Sequence, residues 1–167
     1  LRVQAGNPPC TDEGEVSGMM EEIHTSLGGP DVLVNTAGGW AGGDGVDETE
    51  LDTWLGLMEL NATTAFLACK HALRYMLKQD YGRIINVSSK QSADLPAKNG
   101  AYAVSKAAVD ALTGVIAHEV KRTGVSAVSV QPSVIDTPEN RRYRSDANFD
   151  RWVTPEEIAS VILLAAS

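Results

Sequence analysis

Rhythm is what most constrains this chain. Short apolar runs at Asp31–Asn35, Gly82–Ser88 and Val125–Val130 are separated by long stretches of helical periodicity. Leu1–Ala5 is a further short strand candidate, ended by Gly6-Asn7-Pro8-Pro9, which neither a helix nor a central strand tolerates. Asp31–Asn35 is apolar on consecutive residues, the pattern of a strand covered on both faces. Strands that alternate with helices form parallel crossover units. The expected fold is therefore α/β, a three-layer parallel sheet with helices on both faces.

The helices are bounded by recognisable signals. Thr11-Asp12-Glu13 reads as a helix start, with Val16, Met19, Met20 and Ile23 on one face and Gly28-Gly29-Pro30 as the stop. A short helix around Glu48–Met58 leads into a long one over Asn61–Lys78. Another long helix spans Tyr102–Arg122, and Thr154-Pro155-Glu156-Glu157 opens the last, with proline in the first turn and acids against the dipole. The helix at Tyr102–Arg122 is apolar around most of its circumference, so one side can lie on the sheet while the other needs a cover. A second copy of the chain is the expected cover.

The 167 residues fit one domain, 1–167. A net charge of −8 argues against a nucleic-acid surface. The longest apolar run, Val161–Ala166, falls far short of the roughly 20 residues of a membrane span. No secretory leader pattern is present, and Cys10 and Cys69 lack CxxC spacing, so a cytoplasmic domain without disulfides is expected. His24, His71 and His118 fall on separate segments without ligand spacing, which predicts no metal site.

Chemistry concentrates near the middle of the chain. Tyr102 and Lys106 stand one helical turn apart on one face. A tyrosine works as an acid or base near neutrality only if its phenolate is stabilised by about 4 kcal/mol, and an adjacent ammonium has the right sign for that. Ser88-Ser89 ends an apolar strand, and Tyr102 opens the helix that follows. In a parallel sheet, strand C-termini and helix N-termini share the edge where ligands bind, so a Ser89 hydroxyl could meet the Tyr102 phenol there. By itself each feature is weak; Ser89 also reads as a turn serine.

Taken together, Asp31-Val-Leu-Val-Asn-Thr-Ala-Gly38, Gly82-Arg-Ile-Ile-Asn-Val-Ser-Ser89, Tyr102-Ala-Val-Ser-Lys106 and Asn61 in Leu60-Asn61-Ala62-Thr63 resemble the short-chain dehydrogenase/reductase family. The resemblance implies a Rossmann-like fold and reversible hydride transfer between NAD or NADP and a ketone or secondary alcohol. It implies that Tyr102 gives or takes the proton and Ser89 hydrogen-bonds the substrate oxygen. Lys106 would lower the Tyr102 pKa and hold the nicotinamide ribose, and Asn61 would anchor a water in the proton relay. Asn35, Ala37, Gly38, Ser133, Ile135 and Thr137, with Tyr102 and Lys106, would line the cofactor site, and pairing across a two-fold would give a homodimer or homotetramer. Ala37–Gly43 and the segments Asp136–Arg141 and Ala147–Trp152 are similar to dihydropteridine reductase, a member of the same superfamily, which implies dihydropteridine-reductase-like activity as the alternative.

The departures from the family are equally definite. No Thr-Gly-x-x-x-Gly-x-Gly turn is present to cradle a pyrophosphate at a helix N-terminus. The Gly38–Gly43 loop stands in a later, substrate-side position, and Pro132-Ser133 replaces the usual Pro-Gly. The expected architecture thus lacks the first two strand–helix units and the last strand, with Leu1–Ala5 lying beside Val32–Val34 and cofactor binding weak. A rival reading keeps the motifs without activity, as an oligomerisation or structural module.

Overall fold

The computed structural model describes residues 11–167; the strand expected at Leu1–Ala5 lies outside the described residues. Helix α1 (Glu13–Leu27) starts where Asp12 accepts the Glu15 N–H at 2.9 Å. It ends at Gly28, whose φ of 94° is open to glycine at no steric cost. Strand β1 (Val32–Asn35) and a long loop lead to α2 (Leu51–Leu57), then to a π-helical turn at Met58–Thr63 and α3 (Thr64–Gln79). Then follow β2 (Gly82–Val87), the short α4 (Gln91–Asp94), α5 (Gly100–Glu119) and β3 (Val125–Val130). The chain closes with α6 (Pro138–Tyr143), a 3-10 turn at Phe149–Arg151 and α7 (Pro155–Ala165). Thr154 and Glu157 form a reciprocal capping box at the start of α7, as the sequence predicts.

One expectation is corrected here. Asn61 does not open a helix; it sits within the π turn that joins α2 to α3 without a break. A π turn inserts one extra residue into the helical register, which swings the following side chains and is frequent at functional sites.

The sheet is parallel in the order β1-β2-β3, with Asn35 opposite Asn86 and Asn86 opposite Ser129. Alternation places Leu33, Ile84 and Ala127 on one face, where α3 and α5 pack and α1 packs on α3. The core there joins Met20 of α1, Cys69, Ala72 and Met76 of α3, and Ile116 and Val120 of α5. Each large side chain fully buried in this way stabilises by about 1.5–3 kcal/mol. The Glu13–Lys70 ion pair between α1 and α3 is exposed and screened by solvent, so apolar packing holds the helix row.

The opposite face carries Val32, Val34, Ile85 and Val128, and α7 covers it over β2 and β3. Arg83 on that face donates from Nε to the Ser167 carbonyl. Helices thus lie on both faces, as predicted. Val32 and Val34 nevertheless remain 38% and 37% exposed, because α7 does not extend over β1. The double-sided burial read from the consecutive apolar residues of β1 is therefore not reached. No described helix is long and apolar enough to cross a membrane.

Candidate functional site

The C-terminal end of β2 is locked to the second turn of α5. Lys106 donates from Nζ to the Val87 carbonyl at 3.1 Å, and the Ser88 hydroxyl donates to the Lys106 carbonyl at 3.0 Å. The turn beyond β2 stays aligned with β3 through Ser88 N–H to Val130 O and Lys90 N–H to Pro132 O. Parallel topology therefore brings Ser89 and the Tyr102–Lys106 face of α5 to one sheet edge, as the pattern of strands and helices predicts.

Ser89 is buried, and its Oγ accepts the Gln91 N–H at 3.2 Å. Its own O–H has no acceptor among the described residues, so it remains available to donate. On the same turn, Gln91 Oε1 is the buried side-chain polar atom left without a partner among the described residues. An unpaired buried acceptor is costly and calls for an explanation, such as a ligand donor.

Asn61 is 1% exposed and staples two segments together. Its Oδ1 accepts the Gly39 N–H at 2.9 Å, while Nδ2 donates to the Gly39 carbonyl at 3.0 Å and to Ser105 Oγ at 2.9 Å. The amide protons of Asn61 are thereby committed to fixing the loop after β1 against α5. Gly38 lies so close that a Cβ there would stand 2.7 Å from Asn61 Oδ1 and 2.9 Å from Lys106 Nζ. Glycine at this position is a steric requirement, and it ties Gly38, Asn61 and Lys106 into one cluster.

Lys106 is 6% exposed, and burial pushes its ammonium below the ordinary lysine pKa, with the Asp110 charge partly restoring it. Tyr102 stands one turn earlier on the same helix, half-buried. Asp110 stands one turn later and takes hydrogen bonds from Ser92, Ser129 and Gln131. The sequence reading missed Asp110; its helical spacing from Lys106 is the signal that could have found it.

The remaining expected residues are spread around this edge. Asn35 turns its side chain inward, donating to Asn86 Oδ1 at 2.7 Å and towards Cys69 Sγ. Ala37, Gly38 and Ser133 are exposed. Ile135 pairs with Val153, and its carbonyl accepts from Asn140 Nδ2, while Thr137 caps α6 by accepting the Asn140 N–H. Among the described residues, the side chains of these residues after β3 make no hydrogen bond to Asn61, Lys106 or Ser89. A separate hollow of about 330 Å³ lies beside α7, lined by Val130, Pro132, Trp152, Ile158 and Val161 among others. None of the expected site residues lines it. No group of three or more potential metal ligands occurs among the described residues.

A family model described as short chain dehydrogenase matches residues 7–148. An uncharacterised oxidoreductase of Staphylococcus aureus is 27% identical over 155 residues, covering 93% of this chain and 66% of the relative. One from Staphylococcus saprophyticus is 29% identical, with 93% of this chain and 65% of the relative covered. The solved structure of ElxO with NADP bound superposes with a TM-score of 0.89 at 25% identity, over 95% of this chain and 68% of that one. The chain thus spans about two thirds of the length of the curated relatives it matches.

Proposed function

The chain belongs to the short-chain dehydrogenase family, and from that premise we propose that it performs NAD(P)-dependent hydride transfer on a ketone or secondary alcohol. The observation that supports this reading most is the buried Lys106 ammonium, held by Val87 and crowded by Gly38, one helical turn from Tyr102.

A nicotinamide dinucleotide, when bound, supplies or accepts the hydride. Exposed Gly38, lacking a side chain and packed against the buried Lys106 ammonium, fits the nicotinamide ribose, which Tyr102 and Lys106 would hold. Asn35 and Ala37 would offer backbone, and Ser133, Ile135 and Thr137 would flank the nicotinamide. Binding by this residue set is weak, because the sequence offers no Gly-rich turn to cradle a pyrophosphate, and Pro8 and Pro9 ahead of α1 have no N–H to give.

The residues act on a proton. With the Lys106 ammonium one helical turn away, Tyr102 passes a proton at Oη to the substrate oxygen and recovers it. The free Ser89 O–H donates to that same oxygen and stabilises the charge that develops there. Asn61 fixes the loop and, with its amide protons committed, anchors relay water through its oxygens. Gln91 Oε1 offers an acceptor to a substrate donor.

We extend the proposal to a homo-oligomer. Val104, Ala111 and Val115 form an exposed stripe on α5, which fits a second copy of this helix across a two-fold. Oxidation of NADH or NADPH by a panel of ketones and aldehydes tests the activity. Turnover whose basic pH limb moves upward in Lys106→Ala is expected. Absence of turnover with every carbonyl and both cofactors would favour the structural-module reading.

A further inference from the structure

Asp110 lies outside the set of residues assigned to the chemistry, yet its carboxylate takes three hydrogen bonds from two separate segments. The Ser92 hydroxyl of α4 reaches Oδ2 at 2.5 Å, Gln131 Nε2 beyond β3 donates to Oδ2 at 2.8 Å, and the Ser129 hydroxyl of β3 donates to Oδ1. We propose that Asp110 is a positioning residue of the site, an anionic clamp that holds the Ser89 turn against α5 and keeps a negative charge beside Lys106. This inference rests on the oxidoreductase reading.

The route from Asp110 to Ser89 is short. Ser92 donates its N–H to the Ser89 carbonyl at 3.0 Å, and its hydroxyl lies 2.7 Å from that same carbonyl. A hydroxyl has one proton, and the charged carboxylate is the stronger acceptor, so Asp110 takes it. Gln131 Nε2 also reaches Ser92 Oγ at 3.3 Å, completing a closed ring of polar contacts. Losing the carboxylate would leave the Ser92 hydroxyl only the Ser89 carbonyl of its own turn, untying from α5 and β3 the turn that aims the Ser89 hydroxyl.

The route to Lys106 is electrostatic. The groups that face the ammonium are the Val87 carbonyl from β2, Asn61 from the π turn and Gly38 from the loop after β1. Tyr102 stands one turn earlier on α5. None of these carries the full negative charge that Asp110 places one turn along the helix. Burial opposes the charged lysine and Asp110 favours it, so Asp110 helps keep Lys106 cationic and able to act on Tyr102.

Asp110→Asn keeps the shape and removes the charge, while Ser92→Ala breaks only the link to the turn. The Lys106 ¹³Cε resonance, assigned with Lys106→Arg, is followed against pH in each folded variant, and amide exchange is followed at Gln91 and Ser92. Asp110→Asn is expected to lower the Lys106 midpoint by about one unit, a tenfold change in its ionisation constant. Both variants are expected to accelerate exchange at Gln91 and Ser92 several-fold, and Ser92→Ala to leave the Lys106 midpoint in place. A folded Asp110→Asn protein with either readout unchanged would overturn the proposal. Neither readout needs turnover, so a chain that never transfers hydride would refute the oxidoreductase reading separately.

Discussion

Gly38→Ala probes the cluster directly, because the added methyl would meet two atoms that cannot easily withdraw. The new Cβ would stand 2.7 Å from Asn61 Oδ1 and 2.9 Å from Lys106 Nζ, and relief requires a shift of roughly 0.5–0.7 Å to reach ordinary contact. Moving Oδ1 that far stretches its 2.9 Å bond from Gly39 N–H beyond hydrogen-bond range. Moving Nζ does the same to its 3.1 Å bond to Val87 O. If the loop retreats instead, both Gly39 bonds to Asn61 lengthen, so some of this network is lost either way. A neutral bond contributes about 1 kcal/mol and a charged one about 1.5–3, giving an expected loss of about 3 kcal/mol. With a urea m-value of about 2 kcal/mol per molar, the midpoint should fall by about 1.5 M. Tryptophan fluorescence during urea titration reports it. Gly18→Ala on α1 is the control; nothing lies within 4 Å of its Cβ position, and a gain of about 0.5–1 kcal/mol is expected. A Gly38→Ala protein within about 0.5 kcal/mol of the parent would refute the reasoning.

Three further outcomes follow from the same structure. Burial holds the native Lys106 pKa below its ordinary 10.5, so the folded state bears a buried ammonium at low pH and is relieved as pH rises towards 10.5. The stability of the parent relative to Lys106→Met should therefore climb over that alkaline window, as urea titrations at several pH values will measure, and a flat difference would contradict it. Cys69, pushed up to about 11 chiefly by burial, should resist iodoacetamide at neutral pH in the folded protein and react once unfolded, as peptide mass spectrometry can show. Val115→Asp on the α5 stripe should halve the mass seen by light scattering at tens of micromolar, and a monomeric parent would count against the homo-oligomer.

The strands were legible because their apolar runs are short and bounded, and the ends of α1 and α7 because Asp12, Gly28 and Thr154 act on neighbouring backbone. The Tyr102–Lys106 pair was legible because both residues lie on one helix, four positions apart. The π turn was hidden. Met58–Thr63 holds no proline or glycine, and the side chain at its centre bonds to Gly39 and Ser105, both distant in sequence. Asp110 was hidden for the same reason, since its partners Ser92, Ser129 and Gln131 belong to other segments that only folding brings together. The exposure of Val32 and Val34 depends on how far α7 reaches, which no local pattern encodes.

The most direct test of the account is deuteride transfer from C4-deuterated NADH or NADPH to a carbonyl substrate, followed by mass spectrometry of the alcohol formed, in the parent and in Tyr102→Phe. The account predicts deuterium on the product carbon with the parent protein. It predicts a rate lower by about 10²–10⁴-fold in Tyr102→Phe, whose circular dichroism should match the parent because only a hydroxyl is removed. Equal transfer by the two proteins would contradict the role given to Tyr102.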